Sequence, residues 1–126
     1  MSFDTRIPIY LQIMEQIKKD IVSGKLKGGD KMPSVRVLAK EMQVNVNTVQ
    51  RVYQELEREE VLFAQRGIGS FVTEDENTIE QIKQEMAYDL LNNFVQGMRE
   101  LGFNQERTLA ALQKFMEEER NGSLKG

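Results

Sequence analysis

Between Pro33 and Glu59 two short segments with helical apolar spacing are separated only by Gln43, Val44 and a capping residue, and a glycine-tipped hairpin follows directly. Few folds accept that order. Ser34 is placed to cap a helix over Val35 to Met42, and Asn45 a second from Val46 to about Glu59. Both side chains accept hydrogen bonds from the free N–H groups of a first helical turn. Leu38, Ala39, Met42, Val44, Val49, Val52 and Leu56 then recur at spacings that pack two short helices across each other, with small Ala39 allowing close approach. Val61 to Ala64 and Ser70 to Thr73 predict two short strands joined by Gln65-Arg66-Gly67-Ile68-Gly69, since glycine supplies the positive φ that tight turns need. The pattern predicts a mainly α chain with a small β-wing: a winged helix-turn-helix.

Upstream, Ile9, Ile13, Ile17 and Ile21 repeat every four residues and Met14 widens the stripe. This predicts an amphipathic helix from Tyr10 to Ser23, started by Pro8 and stopped at Gly24, whose isoleucines pack under the helix-turn-helix. Gly28-Gly29-Asp30 predicts a turn, and of Lys25, Lys27 and Lys31 beside it, Lys31 is the candidate phosphate contact.

Asn47, Thr48, Gln50, Arg51 and Gln54 are left facing outward on the second helix of the pair. Asn and Gln can bond adenine in a bidentate fashion, Thr can use its hydroxyl or meet a thymine methyl, and Arg suits guanine or phosphate. Any surface helix is polar, so the stronger sign is a shortage of acid from Asn45 to Gln54 in a chain that is acidic overall. Glu55, Glu57, Glu59 and Glu60 come only afterwards. Arg66 puts a cation at the hairpin tip, and Gly67 and Gly69 let the backbone there approach a groove or phosphate. The alternative is a winged fold that binds protein, with the polar helix face as mere surface.

These residues resemble the winged helix-turn-helix domain of the gluconate-repressor (GntR) superfamily of bacterial transcription regulators over roughly Ile7 to Val72. The marks are Pro8-Ile9-Tyr10-Leu11-Gln12-Ile13, then Ile21, Gly24, Leu26 and Gly29-Asp30. Met32-Pro33-Ser34-Val35-Arg36-Val37-Leu38-Ala39, Thr48-Val49 and Gly67-Ile68-Gly69-Ser70-Phe71-Val72 complete them. Asn45-Val46-Asn47-Thr48-Val49-Gln50-Arg51 with Tyr53, Leu56 and the short tail is most similar to the YtrA-like subfamily, which lacks the larger effector domains. The resemblance implies double-stranded DNA as partner, with Arg36 on phosphate or base and Asn47, Thr48 and Gln50 at the front of the recognition helix. It places Arg66 to Gly69 at the wing; Ser34 and Asn45, at the two helix starts, are grouped with these contacts. Three features depart from the usual pattern. Asn45-Val46 stands where most of the superfamily has Ser-Arg, Glu60 replaces a glycine that commonly ends the recognition helix, and Gln43 sits where many such turns use glycine.

The second half changes character. Residues 1 to 72 hold eleven Lys plus Arg against nine Asp plus Glu, while residues 73 to 126 hold six against eleven. Thr73-Glu74-Asp75-Glu76-Asn77 reads as a polar linker between a winged domain at 1–73 and a helical hairpin at 78–121. Thr78 with Gln81 forms a capping-box pattern for a long helix. Ile82, Met86, Leu90, Phe94, Met98 and Leu101 run along that helix to Gly102. Asn104 then predicts the start of a second helix to about Arg120, carrying Leu109, Leu112 and Phe115. The apolar stripe is too wide for one partner helix to cover, which predicts a homodimer, as the subfamily resemblance also implies. Packing on the winged domain and a small ligand on the Met- and Phe-rich face are the other readings.

Cysteine and histidine are absent, which removes disulfides, thiolate zinc sites and the usual imidazole base. No catalytic constellation, metal site or phosphate-binding glycine loop is legible, so the sequence predicts a regulator without cofactor rather than an enzyme. No signal peptide or membrane-spanning run is present, and a cytoplasmic location without membrane contact follows as the expectation. A small-molecule effector is neither indicated nor excluded.

Overall fold

The computed structural model describes residues 2–122. In chain order these form α1 (Ile9–Val22), α2 (Val35–Met42), α3 (Val46–Arg58), β1 (Leu62–Gln65), β2 (Gly69–Val72), α4 (Glu76–Glu100) and α5 (Gln105–Arg120). The described residues divide into two compact units, with the division between Gln84 and Glu85, inside α4.

In the first unit α1 follows Pro8, and its start is tied down by Gln12. The Gln12 amide donates to the carbonyls of Asp4 and Ile7 at 2.7 and 2.8 Å and accepts from the Asp4 N–H at 2.8 Å. Its isoleucine stripe is core as predicted, for Ile13, Met14, Ile17 and Ile21 are all buried. Leu38 and Ala39 of α2 and Val49, Val52, Tyr53 and Leu56 of α3 complete the helical part of this core, and Val61, Leu62 and Val72 close it from the hairpin. Such burial supplies most of the stability of short helices, since propensity alone leaves helices this short marginal.

The caps of the helix pair are those predicted. The Ser34 hydroxyl accepts from the Val37 N–H at 3.2 Å, and the Asn45 side chain accepts from the Asn47 N–H at 2.8 Å. Both helices end in the same way: Gln43 (φ 57°) and Glu60 (φ 63°) adopt the left-handed conformation. The next N–H then folds back five residues, from Val44 to the Ala39 carbonyl at 3.0 Å and from Val61 to the Leu56 carbonyl at 2.9 Å. This closes the last carbonyls of each helix and sets an apolar residue over its final turn.

That cap corrects the strand boundaries by one residue. Val61 is taken up in closing α3, so β1 starts at Leu62, and Gln65 pairs with Gly69 instead of belonging to the turn. The hairpin is antiparallel with Phe63 opposite Phe71, whose rings stack at 5.6 Å. The segment expected as a plain turn at residues 28–30 is also more ordered than that. Gly29 donates to the Val72 carbonyl, Val72 to Asp30 and Met32 to Ser70, each at 2.8 Å, and Lys31 forms an antiparallel bridge with Phe71. The wing therefore gains a third, very short edge.

The linker is shorter than predicted, and Thr78 is not the start of the long helix. The Asp75 side chain accepts from the Asn77 N–H at 2.9 Å and α4 begins at Glu76, because the aspartate offers a capping acceptor three residues before Thr78. Ile82 is 6% exposed and falls within the first unit, so it is not available to a dimer stripe.

In the second unit α4 ends at Glu100 through Gly102 (φ 89°), with the Phe103 N–H donating to the Met98 carbonyl at 3.0 Å. The Asn104 side chain then accepts from the Arg107 N–H at 2.9 Å and starts α5, as predicted. Leu90 and Leu101 are 71% and 74% exposed, and Phe94, Leu109 and Phe115 are exposed as well. Met86, Met98 and Leu112 are half-buried.

Candidate nucleic-acid interface

The face of α3 opposite its buried row is built by helical geometry alone. With Val49, Val52, Tyr53 and Leu56 turned into the core, Asn47, Gln50, Arg51 and Gln54 are left exposed, and Thr48 is half-buried at its edge. Asn45 and Ser34 are exposed too, but each side-chain oxygen already serves as a cap acceptor. Tyr53, missing from the core inferred by sequence, continues the spacing of Val49, Val52 and Leu56 and does more than fill space. Its hydroxyl donates to the Pro33 carbonyl at 2.7 Å, which fixes α3 against the turn that leads into α2. Burial, and secondarily the Glu41 carboxylate, pushes the Tyr53 phenol up to about 12, so it stays a donor.

Lys31, Ser34 and Gly69 come together around a cleft of about 750 Å³ between the wing and the start of α2, with Tyr53 among its walls. Glycine at position 69 is favoured by its backbone conformation (φ 142°), and the end of the Lys31 side chain crosses it, with Cε 3.1 Å from where a Cβ would be. Gly67 (φ 80°) makes the hairpin turn, with no atom near where its Cβ would be. Arg36, on the exposed side of α2, and Arg66, at the wing tip, lie outside this cleft.

Among the described residues the ion pairs join Arg6 to Asp4, Lys18 to Glu59 and Arg58 to Glu55. Lys31, Arg36, Arg51 and Arg66 take part in none of them, so among the described residues no carboxylate neutralises their charges. Arg51 has a different partner: its guanidinium carbon lies 3.7 Å from the centroid of the Tyr10 ring on α1. In the sequence Tyr10 is one of the marks of the family resemblance, but nothing there pairs it with Arg51.

Among the described residues no group of acidic side chains is arranged to hold a metal, and no helix is long and apolar enough to cross a membrane.

The family described as bacterial regulatory proteins, gntR family, matches residues 9–72. The chain is 40% identical over 116 residues to YhcF of Bacillus subtilis, an uncharacterized HTH-type transcriptional regulator, a match covering 92% of this chain and 96% of YhcF. It is 46% identical over 71 residues to the HTH-type transcriptional repressor YtrA of the same organism, covering 56% of this chain and 55% of YtrA. A solved GntR family transcriptional regulator from Listeria monocytogenes superposes with a TM-score of 0.82 at 44% identity, covering 89% of this chain and 98% of that one.

Proposed function

The chain belongs to the gntR family of bacterial regulatory proteins, as a YtrA-like DNA-binding regulator, and from that premise we propose that it is a cytoplasmic homodimeric repressor of an inverted-repeat operator. The observation that carries this is the exposed face of α3, on which Asn47, Gln50, Arg51 and Gln54 present amides and a cation and no acid in the first half of the helix, with Lys31, Arg36 and Arg66 exposed and in none of the ion pairs among the described residues.

In the complex α3 lies in the major groove. Asn47 and Gln50 bond adenine edges, and Thr48 meets a methyl group or phosphate at the rim. Lys31, Arg36 and Arg66 meet backbone phosphates, and the turn at Gly67 to Gly69 brings the wing close to the adjacent strand. Ser34 and Asn45 contribute the N–H groups of the first turns that they organise, more than their own side chains. Val46 sits where most of the superfamily carries arginine, so the contact usual there is absent and the base preference of those members does not carry over.

Residues 1–73 serve as the reading head, and the hairpin of residues 78–121 joins two copies. The exposed leucines and phenylalanines of α4 and α5, Leu90, Phe94, Leu101, Leu109 and Phe115, form a surface too apolar to stay in water, and Met86, Met98 and Leu112 extend it. A two-fold dimer presents two reading heads to half-sites about 10 bp apart on one face of the duplex. Repression follows from occupancy of a promoter, and no catalytic step or cofactor is involved.

The test is selection of bound sequences from a random duplex pool by the full chain, with sedimentation of the protein alone and on the selected duplex. An inverted repeat bound by two copies, with selectivity lost in Gln50→Ala and dimerisation lost in Leu90→Glu, is the expected result. Enrichment of no sequence, or a selected duplex bound by a monomer, contradicts the proposal.

A further inference from the structure

Arg51 lies on the recognition helix but leans on α1. We infer that Tyr10 is a positioning residue for DNA binding: its ring holds the Arg51 guanidinium so that the N–H edges meet a backbone phosphate beside α3, and Arg51 does not read a base. This rests on the assignment of α3 as the helix that enters the groove.

The geometry has three parts. The guanidinium carbon is 3.7 Å from the ring centroid, well inside the range in which a cation is attracted by an aromatic face. Guanidinium donors lie in the plane of the group, so a ring against one face leaves the hydrogen-bonding edges open. Those edges are not taken by acid: Arg51 is in none of the ion pairs among the described residues, and Glu55, one turn further along α3, is engaged by Arg58 at 3.1 Å. Arg51 is exposed, so the stack orients the charge without removing it from the surface.

Anchoring has two consequences. A flexible arginine loses rotamer freedom when it grips a phosphate, and one already held against a ring loses less, so the contact is stronger for the same charge. Because the anchor is on α1, the side chain is drawn away from the outward row of Asn47 and Gln50, toward the flank where a phosphate contact lies. The contact thus positions the protein on any sequence, while base choice stays with the amides.

The experiment measures binding of the full chain to the selected operator and to an unrelated duplex of equal length over a series of salt concentrations. The variants are Tyr10→Leu, Tyr10→Phe, Arg51→Ala, Arg51→Lys, the Tyr10→Leu/Arg51→Ala pair and Gln50→Ala. Arg51→Ala is expected to weaken both duplexes by the same factor and to lower the salt slope by about 1 for each bound protomer. Tyr10→Leu is expected to weaken both by about two- to fivefold, the size of an exposed cation–π contact, with the slope unchanged. Phenylalanine at position 10 preserves binding, and Tyr10→Leu adds nothing once Arg51 is alanine. Arg51→Lys keeps the charge but not the planar stack, so it follows Tyr10→Leu, and it gives the same readout without disturbing α1.

A change of base preference in Arg51→Ala, an unchanged slope, or independent additive losses in the pair overturn the inference. If Gln50→Ala leaves selectivity intact, the assignment of α3 fails, a result distinct from any obtained with Tyr10 or Arg51.

Discussion

Gln43 and Glu60 hold the left-handed conformation at the ends of α2 and α3, with φ of 57° and 63°. A residue with a Cβ is disfavoured there by about 1–2 kcal/mol. Glycine escapes that cost but gives up about 0.5–1 kcal/mol through the greater freedom of the unfolded chain. Replacing either residue by glycine is thus worth about 0.5–1 kcal/mol net, and both together about 1–2 kcal/mol, as they terminate separate helices. Nothing in the hydrogen bonding needs the side chains. Gly102 ends α4 with the same fold-back, Phe103 N–H to the Met98 carbonyl at 3.0 Å, as Val44 and Val61 make at 3.0 and 2.9 Å. For a chain of this size the double variant Gln43→Gly/Glu60→Gly is expected to melt roughly 4 to 8 °C higher. The assay is thermal and urea unfolding at one fixed protomer concentration, because association makes the midpoint depend on concentration. Gln43→Ala and Glu60→Ala are the controls: they remove the side chain but keep the Cβ, and are expected to gain nothing. Alanine gaining as much as glycine, or glycine variants no more stable than the parent, refutes the strain calculation.

Two further predictions concern the frame of the interface. Tyr53→Phe removes the 2.7 Å bond to the Pro33 carbonyl and should cost about 1 kcal/mol in urea unfolding, with a proportional loss of operator affinity if the α2 turn loosens. The fold keeps the phenol neutral up to about pH 12, against an ordinary value of 10.0, so the unfolded chain loses its proton first. The stabilisation is complete below pH 10 and drains away as pH rises toward 12, a loss that Tyr53→Phe abolishes. Gly28→Ala places a Cβ 3.0 Å from the Thr73 carbonyl oxygen and 3.2 Å from Cα of Glu74, both backbone atoms. It should destabilise by about 1–3 kcal/mol in the same unfolding assay; a neutral result shows that the segment can shift away from the wing.

The helix pair was readable because each of its signals is local. Ser34 and Asn45 cap the first turns that follow them, and the apolar residues of α2 and α3 recur at the helical period, so position in the chain fixes position on the helix. The strand ends were off by one because the competition at Val61 is settled by a backbone bond to Leu56 that depends on the conformation of Glu60. Thr78 with Gln81 matched a capping box, yet Asp75 caps first. Ile82 fits the stripe of α4 by spacing, but burial in the first unit removes it from the surface.

By itself the sequence determined the element order, the caps at Ser34, Asn45 and Asn104, the isoleucine core of α1 and the outward amides of α3, since these follow from periodicity and from hydrogen-bonding groups a few residues apart. Only the tertiary structure decided which cations stay unpaired, that Arg51 rests on Tyr10 some forty positions earlier, that Tyr53 bonds Pro33, and that residues 29–32 line the wing. Those contacts join segments distant in the chain, and their partners are chosen by packing geometry, which no local pattern encodes.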